Sequence, residues 1–311
     1  MKNVVVLGAR GFIGKNTVEY LSNNEKYKVY AATRKEVDLL NEEEVEKYLD
    51  ACNADIIICC ANQGGTRKNT NAVGSVIENN LRMFFNVERC ITAERKMINF
   101  GSGAQYNKKR DLKKICEDEF EKYVPLDEYG YSKYVMSKYI KQREHVGGKG
   151  SITNPVIFGL YGIGEDYSYR FISNAIIKNI LKMPIIINQD VVFDYLYIKD
   201  YFRVLDYMLE DKIKKTEFNV TPTQSIKLTE IAEIINKIGQ YKSEIILKNE
   251  GFNYEYTGSN SRLLEDMGTD YTFWTYEAAI KEMYEYYLKN IDQLDLQVVR
   301  EDVFIKNCIT K

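Results

Sequence analysis

A tyrosine and a lysine near residue 130 have the types and the spacing that acid–base chemistry requires. Tyr129 and Lys133 lie in the run DEYGYSKYVMSKY, which predicts a helix with Asp127 as its N-cap. Side chains four residues apart share one face of a helix. Because an ammonium group favours the charged form of a nearby phenol, we expect the pKa of Tyr129 to lie below its ordinary value of about 10. The pair could then act as a general acid or base.

The same spacing occurs a second time, at Tyr134 and Lys138, and 25 tyrosines make chance copies easy to find. Five residues further along the helix, this second pair faces another direction. The first copy contains Gly130 and lies in the first helical turn, close to the loops that would meet a ligand. We therefore assign the chemistry to the first pair. The alternative is an ordinary pair on the helix surface.

The N-terminal segment VVVLGARGFIG, residues 4–14, predicts a binding site for a dinucleotide. Four apolar residues lead into a turn with three evenly spaced glycines and then into an amphipathic helix, which is the context this motif requires. Such a turn directs backbone N–H groups and a helix dipole at a pyrophosphate. The alternative is an ordinary tight turn between strand and helix. The predicted cofactor contacts in this turn are Gly8, Arg10, Gly11, Phe12, Ile13 and Gly14.

The end of the next predicted strand, Tyr27–Ala32, favours NADP(H) over NAD(H). An NAD site usually has an acidic residue there for the ribose 2′-hydroxyl, but Thr33, Arg34 and Lys35 follow this strand. Arg10 and Arg34 could together hold a 2′-phosphate, for which the guanidinium fork is well shaped. The alternative is a solvated basic pair. The remaining predicted cofactor contacts are Asp38, Leu39, Ala61 and Lys133.

Alternating strands and helices predict an α/β fold. Further strands are predicted at residues 55–61 and 96–100, and helices at 42–49 and 71–94. The continuous apolar strand at 55–61 is typical of a sheet that is covered on both faces. Together these elements predict a Rossmann fold, which is a doubly wound parallel sheet.

The composition excludes several functions. The 311 residues are 45% hydrophobic and 28% charged, with a net charge of −2, which gives no basic footprint for nucleic acid. No apolar run is long enough to span a membrane and the chain begins directly with the first predicted strand, so we expect a cytoplasmic protein. The six cysteines form no CxxC pair and there is one histidine, which argues against a metal site and against histidine-based catalysis.

Three motifs together resemble the extended short-chain dehydrogenase/reductase family, which contains NAD(P)-dependent nucleotide-sugar epimerases, dehydratases and reductases. They are GARGFIG near the N-terminus, FGSGAQY after a strand and YGYSK at the start of a helix. The resemblance implies that Ser102 is the catalytic hydroxyl residue, that Tyr129 donates the proton, and that Lys133 binds the nicotinamide ribose and tunes Tyr129. A hydroxyl and a phenol can both bond a carbonyl oxygen while hydride arrives at its carbon.

Missing acids narrow the reaction that the resemblance implies. Sugar dehydratases of this family carry an Asp-Glu pair directly after the catalytic hydroxyl residue, where this chain has Gly103 and Ala104. GDP-fucose synthases, whose NADP side the run TRKEVDLLN resembles, epimerise with a Cys and a His. Ala104 stands at the Cys position, and the one histidine, His145, lies in the wrong region. Hydride transfer alone remains, either as reduction of a ketone or as reversible 4-epimerisation.

The second half of the chain matches the family less closely. Gly159 stands where many members have Asn, and Val156 and Phe193 stand where they usually have Arg. Other cations must then hold the diphosphate of the substrate. The segments RFISNAI, FDYLYIKD and YTGSNSRLL resemble reductases encoded with bacterial surface-polysaccharide genes. The predicted substrate contacts are Arg170, Asn174 and Arg262.

The resemblance also implies a discontinuous organisation. Residues 1–160 and about 190–225 are predicted to form the NADP-binding Rossmann domain. Residues of about 161–189 and 226–311 would form a smaller α/β substrate lobe. A homodimer through a four-helix bundle would use the helices around residues 80–94 and 129–144.

The sequence thus predicts NADPH-dependent reduction of the 4-keto group of a nucleoside-diphosphate 4-keto-6-deoxysugar, in the biosynthesis of bacterial surface polysaccharides. A nucleotide-sugar 4-epimerase with tightly bound NAD is one alternative. A non-catalytic NADP-binding regulator is another, although it would have no need of Ser102, Tyr129 and Lys133 together. The nucleotide base and the sugar stay open.

Overall fold

The first apolar run forms a strand that is buried on both faces. The computed structural model describes residues 1–65, 75–148 and 150–308, apart from the side chain of residue 144. In strand β1 (Lys2–Leu7), alternate side chains enter two different hydrophobic cores, with Val4 and Val6 on one side and Val5 and Leu7 on the other. Because successive side chains of a strand point to opposite faces, this division shows that helices cover the sheet on both sides.

Seven strands form the central sheet, and every pairing between them is parallel. The others are β2 (Tyr27–Ala32), β3 (Ile56–Cys59), β4 (Lys96–Asn99), β5 (Gly101–Ser102), β7 (Ser151–Ile157) and β12 (Glu217–Val220). Their order is β12-β7-β4-β3-β1-β2, and β5 pairs with β7 beyond the end of β4. Strand β2 is added on one side of β1, and β3 and the strands after it are added on the other side. The point between β1 and β3 is therefore the switch point, where ligands bind in doubly wound folds. The predicted Rossmann fold is confirmed.

The helices connect these strands and build the second lobe. They are α1 (Phe12–Ser22), α2 (Glu42–Ala51), α3 (Val76–Glu88), α4 (Glu128–His145), α5 (Phe171–Ile180), α6 (Ile198–Leu209), α7 (Leu228–Ile238), α8 (Ser261–Met267), α9 (Tyr276–Lys289), α10 (Gln297–Arg300) and α11 (Val303–Lys306).

Helix α3 is shorter than the predicted helix at 71–94. Residues 71–74 lie outside the described ranges, and the helix ends at Glu88. Beyond this point Cys90 and Ile91 donate to the carbonyls three residues before them. This tighter turn takes Ile91 into the core that Val5 and Leu7 share.

The second lobe is built from strands that lie far apart in sequence. A four-stranded sheet contains β6 (Leu112–Ile115), β10 (Val192–Phe193), β13 (Ile226–Lys227) and β15 (Tyr256–Gly258). Two separate two-stranded sheets complete the lobe. They are β8 (Gly159–Tyr161) with β11 (Tyr195–Tyr197), and β9 (Ile185–Asp190) with β14 (Ile245–Phe252). The small sheet therefore takes β6 from within the range 1–160 and β10 from within 190–225. The division of the chain into two discontinuous domains stays a prediction.

The C-terminal segment, in which the sequence shows no motif, packs against the second lobe. Val299 of α10 and Phe304 of α11 are buried in the same core as helix α5. The buried Lys178 of α5 donates to Asp302 at 2.8 Å, which fixes the segment to the lobe.

All six cysteines lie in the described ranges and none of them is in a disulfide bond there, and burial raises the pKa of Cys59 to about 12. Within the described ranges, no helix combines the length and the apolar composition needed to cross a bilayer.

Candidate active site

The glycine turn after β1 brings two backbone segments into contact. Gly8 has φ +80°, and a Cβ added to it would lie 2.6 Å from the backbone nitrogen of Ala61, which follows β3. A Cβ on Gly14 would strike the carbonyl oxygen of Gly8. A Cβ on Gly11 would come no closer than 3.5 Å to that oxygen. The turn therefore closes on the sheet and on helix α1, and its Gly11 side stays open for a ligand.

A cleft of about 860 Å³ opens at this turn, within the range that cofactor sites occupy. Its lining includes seven of the predicted cofactor contacts, namely Gly8, Arg10, Gly11, Arg34, Asp38, Leu39 and Ala61. Phe12, Ile13 and Gly14 follow the turn in α1, and Lys133 lies in α4 with its Nζ at the carbonyl of Phe100, just after β4. Residues that were not predicted complete the walls, among them Val37, Asn79 and Met83.

An acid that was not predicted, Glu36, lies next to the basic end of the cleft and bonds to Thr33 of its lining. Arg10 and Arg34 are both exposed there. The carboxylate of Glu36 accepts from the backbone N–H of Thr33 at 2.8 Å and from its hydroxyl at 2.5 Å. These hydrogen bonds, with a smaller contribution from the charge of Arg10, lower the pKa of Glu36. The spacing Thr-x-x-Glu was the available signal, since these residue types three apart often hydrogen-bond each other.

Ser102 lies on a continuation of strand β4. The register beside β7 runs unchanged from Ile98, opposite Thr153, to Gly101, opposite Val156. Phe100 interrupts this strand, and its carbonyl oxygen accepts from Nζ of Lys133 at 2.7 Å. Ser102 is buried, and its Oγ accepts from the backbone N–H of Ala104 at 3.3 Å.

Helix α4 brings Tyr129 to Ser102. Asp127 caps the helix as predicted, because its Oδ1 accepts from the backbone N–H of Gly130 at 3.0 Å. A Cβ on Gly130 would lie 2.8 Å from the carbonyl oxygen of Ala104, so only glycine lets the first turn of α4 pack this closely on the turn after Ser102. The phenol of Tyr129 comes close enough to Ser102 for the serine hydroxyl to favour the phenolate form of the tyrosine.

The second Tyr–Lys pair has no part in this site. Tyr134 is buried against the ring of Phe120, with 5.0 Å between ring centroids. Lys138 is exposed and pairs with Glu121 at 3.5 Å. Only the first copy reaches the hydroxyl of Ser102.

The predicted lowering of the pKa of Tyr129 is wrong for the chain without cofactor. Burial raises this pKa above its ordinary value, against smaller lowering contributions from Ser102 and Arg170. Lys133 does not offset the burial, because its Nζ is bonded to Phe100 and lies 5.9 Å from the centre of the tyrosine ring. Burial lowers the pKa of Lys133 itself from 10.5 to about 8.

Asn80 of helix α3 ties the loop after β3 to the catalytic helix. Its side chain accepts from the N–H of Gln63 at 2.7 Å and donates to the carbonyl of the same residue at 2.9 Å. It also donates to Ser132, which in turn donates to the carbonyl of Tyr129 at 2.8 Å. The same loop continues to Gly65, which lies directly against the ring of Tyr129. Asn80 therefore positions both the cofactor cleft and the catalytic helix.

A smaller pocket of about 190 Å³ lies on the other side of Gly65, in the second lobe. Its walls are largely aromatic, formed by Phe158, Tyr161, Tyr169, Phe171, Phe193, Tyr195 and Phe304. Arg170 and the buried Glu165 supply its charge. Burial raises the pKa of Glu165 to about 7, although its carboxylate accepts from the hydroxyl of Ser173 at 2.5 Å.

The three predicted substrate contacts lie in different surroundings. Arg170 borders the aromatic pocket, and its charge reaches the phenol of Tyr129. Arg262 is held by Asp118 at 2.8 Å and by Glu117 at 3.8 Å. Asn174 is buried, and its amide donates to the carbonyl of Tyr167 at 3.0 Å.

A parallel sheet with a glycine turn at its switch point, and with Ser, Tyr and Lys side chains gathered at the neighbouring strand end, defines a dinucleotide-dependent enzyme of the Rossmann class. The chain belongs to the NAD dependent epimerase/dehydratase family, whose model matches residues 4–221.

One curated relative and two solved structures are similar to the chain over most of its length. The chain is 25% identical over 298 residues to a GDP-6-deoxy-D-talose 4-dehydrogenase from Aggregatibacter actinomycetemcomitans, covering 91% of this chain and 97% of the relative. A GDP-L-fucose synthetase from Naegleria fowleri bound to NADP superimposes with a TM-score of 0.77, at 17% identity and over 94% of both chains. A GDP-6-OMe-4-keto-L-xylo-heptose reductase from C. jejuni gives 0.73, at 18% identity, over 93% of this chain and 98% of the other. At 17% and 18% identity, the two solved structures establish similarity of fold alone.

Proposed function

We propose that the chain reduces the 4-keto group of a nucleoside-diphosphate 4-keto-6-deoxysugar with NADPH. The observation that carries this proposal is the closeness of Ser102 and Tyr129, beside the point after β4 where Lys133 of α4 donates to the carbonyl of Phe100. No acidic side chain follows Ser102, where Gly103 and Ala104 stand. A site with two hydroxyl donors and no adjacent acid suits hydride transfer to a carbonyl better than dehydration.

The proposed roles follow from the geometry of the pair. Bound NADPH supplies the hydride that reaches the carbonyl carbon. Tyr129 donates its phenolic proton to the carbonyl oxygen, and Ser102 holds that oxygen with a hydrogen bond. The family resemblance assigns Lys133 the binding of the nicotinamide ribose and the tuning of Tyr129, and we propose that its charge acts on the phenolate once the cofactor is bound, when its Nζ is no longer held by Phe100 alone. The products are the alcohol and the oxidised cofactor, and solvent returns the proton to Tyr129.

We propose NADP(H) as the cofactor because two guanidinium groups border the cleft beyond β2. Replacing Arg34 by Ala should raise the Kd for NADP⁺ by about 10- to 100-fold, since a charge-assisted hydrogen bond contributes about 1.5–3 kcal/mol. Affinity for NAD⁺, which has no 2′-phosphate, should change by less than about two-fold. Fluorescence titration of both nucleotides provides the measurement.

Lys35 offers the matched control for this prediction. It is exposed next to Arg34 but does not line the cleft. Lys35→Ala should leave both affinities unchanged. Equal losses for NADP⁺ and NAD⁺ in Arg34→Ala would contradict a role in binding the 2′-phosphate.

We place the substrate across the aromatic pocket, with its keto group at Tyr129. Aromatic faces suit the apolar face of a hexose, and Arg170 is the proposed cation for the diphosphate. A role for Arg262 would require release from Asp118, and one for Asn174 would require release from Tyr167. The name of the curated relative suggests a GDP-linked sugar as the first substrate to test.

The decisive experiment follows NADPH oxidation with GDP-, CDP-, dTDP- and UDP-linked 4-keto-6-deoxysugars, with the product identified by NMR. Consumption of NADPH and formation of a 4-hydroxyl are the expected results. Purified protein that holds NAD tightly and interconverts 4-hydroxyl epimers without net NADPH consumption would identify a 4-epimerase instead. Cofactor binding without turnover of any of these sugars would indicate a regulator.

We further propose that the reaction belongs to surface-polysaccharide biosynthesis in the cytoplasm. We also propose a homodimer in which helices α3 and α4 of one copy pack against the same helices of the other. Leu81, Phe85 and Tyr139 are only partly buried on these two helices, which pack against each other. Light scattering of the purified protein would give the mass of the assembly.

A further inference from the structure

A second tyrosine hydroxyl contacts Ser102 from the substrate lobe. Tyr256 lies in β15, and its hydroxyl is close enough to Ser102 for the serine hydroxyl to lower the pKa of Tyr256, against the larger effect of burial. It also lies 2.7 Å from the place that a Cβ on residue 103 would take. The hydroxyl of Tyr256 thus occupies the space that an acidic side chain after Ser102 would need. Neither the Tyr–Lys spacing nor the family match at residues 4–221 points to this residue.

The packing around Tyr256 holds its ring in place. Phe158 and Phe193 lie against it, with ring centroids 5.1 and 4.9 Å away. Its strand pairs on one side with β10 and on the other with β6. The buried Asp194 fixes the same strand, because its carboxylate accepts from the N–H of Gly258 at 2.9 Å and its own N–H donates to the carbonyl of Tyr256. A phenol held this firmly can orient the group that it touches.

A serine hydroxyl has one proton to donate and two lone pairs that accept. In Ser102, one lone pair accepts from the N–H of Ala104. We propose that Tyr256 is a positioning residue, which donates to the second lone pair of Ser102 and thereby leaves the serine proton to point at the carbonyl oxygen of the substrate. Tyr129 and Ser102 then both donate to the carbonyl oxygen of the substrate, and Tyr256 fixes the orientation of the Ser102 hydroxyl.

The kinetic test of this role rests on the proposed function. Tyr256→Phe removes only the hydroxyl and should lower kcat by about 10-fold, or about 1.4 kcal/mol, with KM for the ketosugar and Kd for NADPH unchanged. In a Ser102→Ala background the same substitution should change kcat by less than about two-fold, because its effect passes through Ser102. Additive losses would overturn the proposal.

Tyr284→Phe provides the matched control. It removes another buried tyrosine hydroxyl of the same lobe, which donates to Asn179 at 2.8 Å far from Ser102. This variant should lose stability but keep kcat. If Tyr284→Phe lowers kcat as much as Tyr256→Phe does, the effect is a general loss of lobe stability and the proposal fails.

A crystallographic test does not depend on the substrate. In the wild-type protein with NADP⁺, the Tyr256 Oη to Ser102 Oγ distance should be that of a hydrogen bond, and in Tyr256→Phe the serine side chain should rotate or occupy two rotamers. An unchanged single rotamer in the variant would overturn the proposal, even if no ketosugar were ever turned over. Absence of turnover by the wild-type protein would instead reject the proposed function.

Discussion

Replacing Tyr129 by Phe should lower kcat by about 10³-fold, because general acid catalysis contributes about 10²–10⁴-fold and no other phenol of the site can take its place. The role proposed for Tyr256 is to orient Ser102, which it approaches from the second lobe. The ring of Tyr129 remains in the variant, so its contact with Gly65 is kept. The Kd for NADPH should therefore change by less than about two-fold. Single-turnover oxidation of NADPH and fluorescence titration would measure the two quantities separately.

The second Tyr–Lys pair supplies the control for this experiment. Tyr134 lies on the same helix, five residues away, and is buried against Phe120. Tyr134→Phe should keep wild-type kcat. An active Tyr129→Phe enzyme, or an inactive Tyr134→Phe enzyme of normal stability, would reject the assignment of the proton donor.

Replacing Lys133 by Met should abolish most turnover and yet stabilise the cofactor-free protein. Burial lowers the pKa of Lys133 from 10.5 to about 8, so its charge costs about 3 kcal/mol of folding free energy at neutral pH. Methionine removes that cost and loses the hydrogen bond to Phe100, which for a charged donor contributes about 1.5 kcal/mol or more. A net gain of up to about 1.5 kcal/mol corresponds to a Tm increase of a few degrees. The kcat should fall by about 10²-fold or more, since the phenolate loses its cation.

The pH dependence of this stability difference has a defined sign. Between pH 8 and 10.5 the folded chain binds fewer protons at Lys133 than the unfolded chain, so the penalty is complete below this window and disappears above it. In thermal unfolding, the Tm of Lys133→Met should exceed that of the wild type at pH 7, and the difference in Tm should shrink as the pH rises towards 10. Lys138→Met, which changes an exposed lysine, should match wild type throughout. If the Lys133→Met protein were less stable than the wild type at pH 7, the expected cost of burying the lysine charge would be contradicted.

The features that the sequence predicted are those set by local pattern. The apolar run before Gly8, the strand Tyr27–Ala32 and the N-cap at Asp127 each depend on neighbouring residues, and the structure contains all three. The preference for the first Tyr–Lys copy also used local information, its place in the first helical turn. That Tyr129 lies near Ser102 could be inferred only through the family resemblance.

The features that the sequence did not predict depend on tertiary contacts. Tyr256 reaches Ser102 because four strands from distant parts of the chain form one small sheet. The pKa of Tyr129 depends on how deeply the phenol is buried and on the carbonyl that engages Lys133, and neither follows from a spacing of four. The helix pattern predicted that both side chains share a face but not that Phe100 would interrupt its strand to bind the lysine.

The small sheet also determines the order in which the protein can be completed during synthesis. Chains emerge from the ribosome N-terminus first, so β1 to β4 and helix α4 are available early, and their parallel contacts can form before the second lobe exists. Strand β6 must wait for β15, which follows it by more than a hundred residues, before it gains its partner. The nascent chain thus carries Ser102, Tyr129 and Lys133 for much of its synthesis without Tyr256. The reaction centre is finished only when the last strand of the lobe arrives.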